Sequence, residues 1–590
     1  MTSLAPLHTE LPDDGDGWSD GLPDTPPNRR RSFGDGREHG RTWWRPSLTP
    51  RPDRPTLRER LVPPVAREPW WLAWGLPILV TVFGGIMRFW NLGKPNTVVF
   101  DETYYAKDAW TTIHFGHARG WLAAPDGSGM ALDDKQIIAN SHLWHGLLDG
   151  AKPGYEVHPP VGKWMIGAGE AIFGFNPFGW RFVAAVCGTL AILMIARIAR
   201  RLFRSTLIGC LAGLLMAVDG MEFVMSRIAL LDIFVMFWTL AAFGCLLVDR
   251  DWMRTRLIEW RESLPSTPLP MDSRGPRLGF RPWRFAAAVC LGLDMGTKWS
   301  GLWIIVVFLA MSLLWDHGAF RTVGIRKHWR TFFRKTFWQS GLLGLFTVVV
   351  YASTWSGWFL TKDGYYRQTF VPRNGYQDGF YQRGDVTEGP HVQFLAALHS
   401  FWNYHMKTFG FHTNLETPHA YMSNPWSWLI MGRPTDYYYE SPTRGQSGCT
   451  VKLCSQQVLA LGTPTLWWFA TLALVWCVWR WLARRDWRAG AILGGMIAAW
   501  AFWLHYQHRT IFTFYAVAFE PFMVLAAAYL IGAILGREAA PGSRRQWGAI
   551  GAGVITVIIL LTFMYFYPIY SAKTITNEQW QGRMWWPSWI

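Results

Sequence analysis

Carboxylates and cations placed just beyond long apolar blocks are the residues of this chain best suited to chemistry. The first such group is Phe100-Asp101-Glu102-Thr103-Tyr104-Tyr105-Ala106-Lys107-Asp108. Two adjacent carboxylates at the mouth of an apolar segment are costly unless solvated or paired. A carboxylate held at a membrane surface can take the proton of an attacking hydroxyl. The competing explanation is an acidic helix start, favoured by the partial positive charge of a helix N-terminus.

Arg181, Lys298 and Arg509 stand at three other block ends, the last beside His505 and His508. These ends fall on the side of the membrane where orientation rules do not account for a cation. Guanidinium and ammonium groups gathered there suit an anionic ligand, and phosphate is the chemistry they match best. The alternative is pairing with carboxylates such as Asp219, Glu222 or Asp294, while Arg227 and Asp232 are placed to pair with each other. His158 and Lys163 join the set through Glu156-Val157-His158-Pro159-Pro160-Val161-Gly162-Lys163-Trp164. The Pro-Pro pair fixes a helix start. The apolar segment that follows, to about Gly174, is too short and Gly-rich to span, which predicts a helix along the interface. Ordinary snorkelling of Lys163 beside an interfacial His158 is the alternative.

Aromatic residues crowd the later polar segment, in Tyr365-Tyr366, Phe380-Tyr381, Pro418 to Trp428 and Tyr437-Tyr438-Tyr439. Aromatic clefts suit sugars and extended peptides, though interfacial belts use the same residues. Tyr104, Tyr105, His419 and Trp426 are the candidates to face sugar or acceptor. Cys449 and Cys454 share this polar segment and can close a short disulfide loop if it lies in an oxidising compartment. The other five cysteines sit in apolar blocks as small core residues.

These groups need elements to hold them, and the composition says which. Half of the 590 residues are hydrophobic, only 17% are charged, and 39 are Trp. The apolar residues form blocks of roughly 20, the length that crosses a bilayer. About eleven spans are expected, an all-α polytopic membrane protein. Lys plus Arg exceeds Asp plus Glu by 57 to 41, and the excess clusters at alternate block ends as retention of basic residues inside predicts. One register puts Arg197 to Arg204, Arg250 to Arg256, Arg321 to Lys335, Arg484 to Arg488 and Arg537 to Arg545 inside. Nucleic acid is not an expected partner.

The same register predicts a disordered cytoplasmic tail over residues 1–68, a transmembrane domain over 69–570 and an extracytoplasmic tail over 571–590. Long outer loops are expected at 91–180, with interfacial helices, and at 357–457. Inner loops are too short for a nucleotide-binding domain, which needs on the order of 100 residues. Asp249-Arg250-Asp251 is accordingly read as a solvated helix end, and an activated substrate must arrive through the membrane.

Taken together, these pieces resemble the protein O-mannosyltransferase family, most closely its actinobacterial members. The resemblance runs from about residue 70 to near the C-terminus. It is carried by Asp101-Glu102, His158-Pro159-Pro160-Val161-Gly162-Lys163, Arg181, Leu231-Asp232, Lys298 and Pro425-Trp426-Ser427-Trp428. It implies the lipid-donor (GT-C) glycosyltransferase fold around an outward-facing cavity. It further implies polyprenyl-phosphate-mannose as donor, Ser or Thr of a translocating secreted protein as acceptor, and inversion at the sugar carbon. By the same resemblance Asp101 is the base, Glu102 places the acceptor, and Arg181 binds the departing phosphate. Lys298, Arg509, His158 and Lys163 are expected near it. A phosphodiester carries about one charge, so fixed cations can stand in for a metal and no cofactor is expected. The second outer loop has no room for the repeated β-trefoil domain of the eukaryotic enzymes.

Two rivals share some of these features. Enzymes of the same fold glycosylate lipids or polysaccharides, as arabinosyl and aminoarabinose transferases do. A transporter would place its ionisable groups near the bilayer midplane, often in matched halves, whereas here they gather at the outer mouth. The expected location is the cell membrane, with the N-terminus cytoplasmic and the site outside.

Overall fold

Apolar runs punctuated by Pro, Gly and Arg clusters become helices whose ends carry recognisable caps. The computed structural model describes residues 56–62, 68–119, 153–265, 267–270, 273, 275–325, 328–362, 364–369, 390–536 and 541–590. The helices are α1 (Leu57–Leu61), α2 (Trp70–Phe89), α3 (Glu102–Phe115), α4 (Val161–Phe173), α5 (Pro177–Phe203), α6 (Thr206–Ala217), α7 (Gly220–Met225) and α8 (Asp232–Glu262). They continue with α9 (Pro282–Met295), α10 (Gly301–Thr322), α11 (Trp338–Thr354), α12 (Pro390–Thr413), α13 (Pro464–Arg484), α14 (Trp487–Trp500), α15 (Glu520–Leu535) and α16 (Gly542–Tyr570). Asn176 caps α5 by accepting from the Gly179 N–H, with Pro177 in the first turn, and Ser205 caps α6 in the same way.

Among the described residues, seven helical stretches are long and apolar enough to cross a membrane: α2, α5, α8, α10, α13, the run Trp487–Leu504 and α16. Thr206–Ala217 and Glu520–Leu535 are shorter apolar helices. The polar segments sort themselves by contact. Phe100 packs on His419, Tyr437 and Phe512, and Tyr404 accepts from the Glu156 N–H, so the segments expected outside meet at one end. At the other, Arg201 pairs with Asp251, Arg281 with Asp316, and Arg250 lies over Trp487.

Several expectations need correction. Asp249, Arg250 and Asp251 are buried, not a solvated helix end, because α8 runs on to Glu262 and folds the triplet against Arg281, Arg284, Arg201 and Arg204. Arg227 does not pair with Asp232; its guanidinium donates to the carbonyls of Met87, Arg88, Trp90 and Asn91. Asp219 caps α7 and accepts from Trp467, Glu222 pairs with Arg88, and Asp294 accepts from Thr239, so none of the three is seen paired with Arg181, Lys298 or Arg509.

Part of the expected N-terminal tail is ordered. In α1, Leu61 is buried and Arg58 bonds Glu262 at 2.9 Å; most of residues 1–68 lie outside the described residues. The fold also carries a small antiparallel sheet, β1 (Thr435–Glu440), β2 (Cys454–Ala460) and β3 (Ile575–Thr576), in that order. Cys449 and Cys454 are disulfide-bonded between β1 and β2. Because β3 follows α16, residues 571–590 are a docked segment, with Trp589 buried and donating to the Met431 carbonyl at 2.8 Å.

Candidate active site

A strained turn presents the first carboxylate. Phe100 has φ +48, a left-handed conformation uncommon for a bulky residue. It is held there by a box of His419, Tyr437, Phe512 and Phe514, with ring centroids 5.2–5.9 Å away. The next residue, half-buried Asp101, opens α3 and takes a hydrogen bond from Tyr105 one turn on. Burial raises its pKa to about 6, Lys298 pulls against that rise, and Asp232 adds to it.

Glu102 turns the other way. Its carboxylate accepts from the N–H groups of Val99 (3.0 Å) and Ala229 (2.9 Å) and from Arg181 Nε and Nη2, both at 2.8 Å. The remaining Arg181 hydrogens go to the carbonyls of Leu92, Pro95 and Thr97. Neither side chain is exposed. All five donors of that guanidinium are used, and among the described residues the contacts of both side chains are to each other or to backbone. Together they knot the loop after α2 to α5 and to the segment before α8. Removing one partner of a buried pair costs about 3–5 kcal/mol. Glu102→Gln and Arg181→Met should therefore lower the melting temperature and yield of folded protein, which a thermal melt in detergent checks.

Lys163 is likewise committed. Its ammonium bonds Asp108 and Glu156, both at 2.9 Å, and is buried in α4. Helix α4 packs that closely because Gly162 faces Leu231; a Cβ there would fall 2.6 Å from Leu231 Cδ2. The structure thus joins Lys163 to two carboxylates and does not bring it to Asp101.

Lys298, at the turn between α9 and α10, points to the same space as Asp101. Its Nζ lies 2.9 and 3.0 Å from the two Asp232 oxygens and 4.1 Å from the Tyr515 ring centre. Burial works against its charge, but Asp232 beside it holds the pKa above the ordinary lysine value. Arg509 is the nearby cation without a carboxylate partner among the described residues. Its Nη2 donates to His412 Nδ1 at 3.2 Å, and its Nε is shielded with no partner. His412 in turn donates from Nε2 to the Val157 carbonyl at 2.6 Å and stacks on His158 at 5.0 Å. Burial, with smaller contributions from Arg509 and Lys298 and against the hydrogen bond to Val157, lowers the His412 pKa to about 4. His158 is lowered by burial and by His412, Lys298, Lys163 and Arg509. Both rings stay neutral, so His412 remains an acceptor that orients Arg509.

Of the sugar-side candidates, Tyr105 faces Asp101 and His419 lines the Phe100 box. Tyr104 is 65% exposed, about 100° around α3 from the buried Tyr105, and Trp426 is 59% exposed against Trp500. Asp232 and Tyr437 share this space, the first on Lys298 and the second on Phe100, and so do His412 and Tyr515, which no sequence pattern marks. An outer lysine asks for a carboxylate, and Leu231-Asp232 was the signal for one of them.

Two family models match the chain: "Dolichyl-phosphate-mannose-protein mannosyltransferase" over residues 157–257 and "C-terminal four TMM region of protein-O-mannosyltransferase" over residues 397–589. A Mycolicibacterium smegmatis protein named polyprenol-phosphate-mannose–protein mannosyltransferase is 35% identical over 524 residues, covering 88% of this chain and 93% of that one. The Mycobacterium tuberculosis protein of the same name is 35% identical over 534 residues, covering 89% and 93%. Among solved structures, the Saccharomyces cerevisiae protein O-mannosyltransferase Pmt1–Pmt2 complex bound to the sugar donor matches with a TM-score of 0.65. The identity is 14%, over 91% of this chain and 94% of that one, and the likeness is one of fold.

Proposed function

The chain belongs to the polyprenol-phosphate-mannose–protein mannosyltransferase family, and on that premise we propose a single displacement at Asp101. The fold is that of the lipid-donor (GT-C) glycosyltransferases. The enzyme transfers mannose from polyprenyl-phosphate-mannose to protein. The acceptor hydroxyl is that of Ser or Thr.

In this mechanism the hydroxyl oxygen attacks the anomeric carbon from the face opposite phosphate. The carbon–phosphate oxygen bond breaks, the hydroxyl proton passes to Asp101, and polyprenyl phosphate leaves with one added negative charge. Lys298 and Arg509 receive that charge. The observation that carries this reading is the convergence of Asp101, the Lys298–Asp232 pair and Arg509 on one space. Inversion is supported because Glu102 and Asp232, the carboxylates next to Asp101, are held by Arg181 and Lys298. A retaining route would need a second, free carboxylate as nucleophile. Fixed cations also support a metal-free reaction, so chelation with EDTA should leave the initial rate unchanged.

The pKa of Asp101 sets the pH dependence. A base must be unprotonated, so kcat/KM should fall about tenfold per pH unit below about 6 and level off above it. A pH–rate profile with labelled donor reads this directly. We put the site on the extracytoplasmic face, a reading that two features support. The disulfide at Cys449–Cys454 shares its end of the molecule and suits an oxidising compartment, while the Arg-rich loops gather at the other end.

The test is to reconstitute the full chain in lipid vesicles with polyprenyl-phosphate-mannose and a Ser/Thr-Pro-rich peptide. The peptide should gain hexose mass with the anomeric configuration inverted. Mannose appearing only on lipid or polysaccharide would assign the enzyme to the other acceptor class.

A further inference from the structure

A cavity of about 230 Å³ opens between α9 and α11, at the ends of these helices remote from Lys298. Phe285 and Phe346 pack on each other along one side of it, 4.2 Å apart between ring centres. At its rim Phe280 and Leu342 are 71% and 64% exposed, and Leu345, Val348 and Val349 continue the exposed apolar line along α11. In a membrane protein hydrocarbon covers such a line.

The floor of the cavity is polar but balanced. Arg281 and Arg284 bond Asp249 and Asp316 at 2.5–3.2 Å, two cations against two anions, which leaves no net charge to hold an anionic ligand. What stays open is an acceptor. Gln339 Oε1 is shielded from solvent and takes no hydrogen bond from the described residues, while its Nε2 lies 3.5 Å from the Gly279 carbonyl. A buried amide oxygen without a donor is unfavourable and asks for one.

Depth supplies the donor. The cavity opens beside the charged cluster of Arg281, Arg284, Asp249 and Asp316, at the end of the molecule where Arg201 pairs with Asp251. A charged helix end of this kind lies at headgroup level. We propose that the cavity is a phospholipid site in the leaflet opposite the catalytic pocket. One acyl chain lies in the cavity along the packed Phe285 and Phe346 rings, and a headgroup N–H or O–H donates to Gln339 Oε1. The ligand class is a phospholipid with a donor headgroup, ammonium or hydroxyl; phosphatidylcholine has neither.

The test uses the full chain in vesicles of equal phosphatidylcholine, phosphatidylethanolamine and phosphatidylglycerol, extracted into mild detergent for native mass spectrometry. Phosphatidylethanolamine or phosphatidylglycerol should be retained about tenfold over phosphatidylcholine, as one hydrogen bond allows. Retention of the first alone identifies an ammonium donor, of the second alone a hydroxyl. Ala288→Phe, which fills the cavity, should abolish retention. Gln339→Leu should abolish the preference while mannosyl transfer and melting temperature stay at the parent values, and it decides the matter if Ala288→Phe misfolds. Equal retention of the three lipids, or a preference that survives Gln339→Leu, overturns the proposal.

Discussion

Replacing Asp101 with Asn should lower mannosyl transfer by about 10²–10⁴-fold, the usual contribution of a positioned general base. The amide keeps the shape and can still accept from Tyr105, but it cannot take a proton. Folding should be unaffected, because the Glu102–Arg181 knot that fixes the turn does not involve Asp101. Donor affinity should hold or rise slightly, since a negative group near Lys298 has been removed. Initial rates with labelled donor, set beside donor binding and a thermal melt, separate these effects. A near-parental rate would remove Asp101 from the chemistry.

The second large effect falls on the cations. Losing one preorganised charge at the leaving group costs about 10²–10³-fold in rate. Arg509→Met is the clean test, because Arg509 has no carboxylate to orphan among the described residues and the melting temperature should be kept. Lys298→Met removes the same kind of charge but strands Asp232 in a buried site, so it should lose stability as well as rate. Adding Asp232→Asn to Lys298→Met should restore much of the stability and none of the transfer. If Arg509→Met and the double variant both transfer normally, the phosphate lies elsewhere.

The contrast between Lys298 and Arg181 shows how far residue types alone can be read. Both are cations at block ends where orientation rules do not put them, and both therefore suggest an anion. Which one is spent on structure depends on partners far away in the chain. Arg181 meets Glu102 at a separation of 79 residues and three backbone carbonyls in the loop after α2. Asp101 and Glu102 were equally undivided in the sequence, because adjacent carboxylates on a helix start point in different directions only once the turn at Phe100 is set. The apolar blocks were legible because a bilayer imposes their length. The hairpin of β1 and β2 was not, since Tyr437 to Tyr439 suits an interfacial belt as well as a strand. The burial of Asp249 to Asp251 was hidden for the same reason as the Arg181 knot: their neutralising arginines lie about 32–50 residues away and on other helices.

The most direct measurement is a structure of the Asp101→Asn enzyme with intact polyprenyl-phosphate-mannose and a Ser-containing peptide, trapped by the missing base. The phosphate should lie within hydrogen-bonding distance of Lys298 Nζ and the Arg509 guanidinium. The serine oxygen should sit between residue 101 and the anomeric carbon, with Arg181 still bound to Glu102. A phosphate against Arg181, or a sugar on the far side of the bundle from residue 101, would contradict the account.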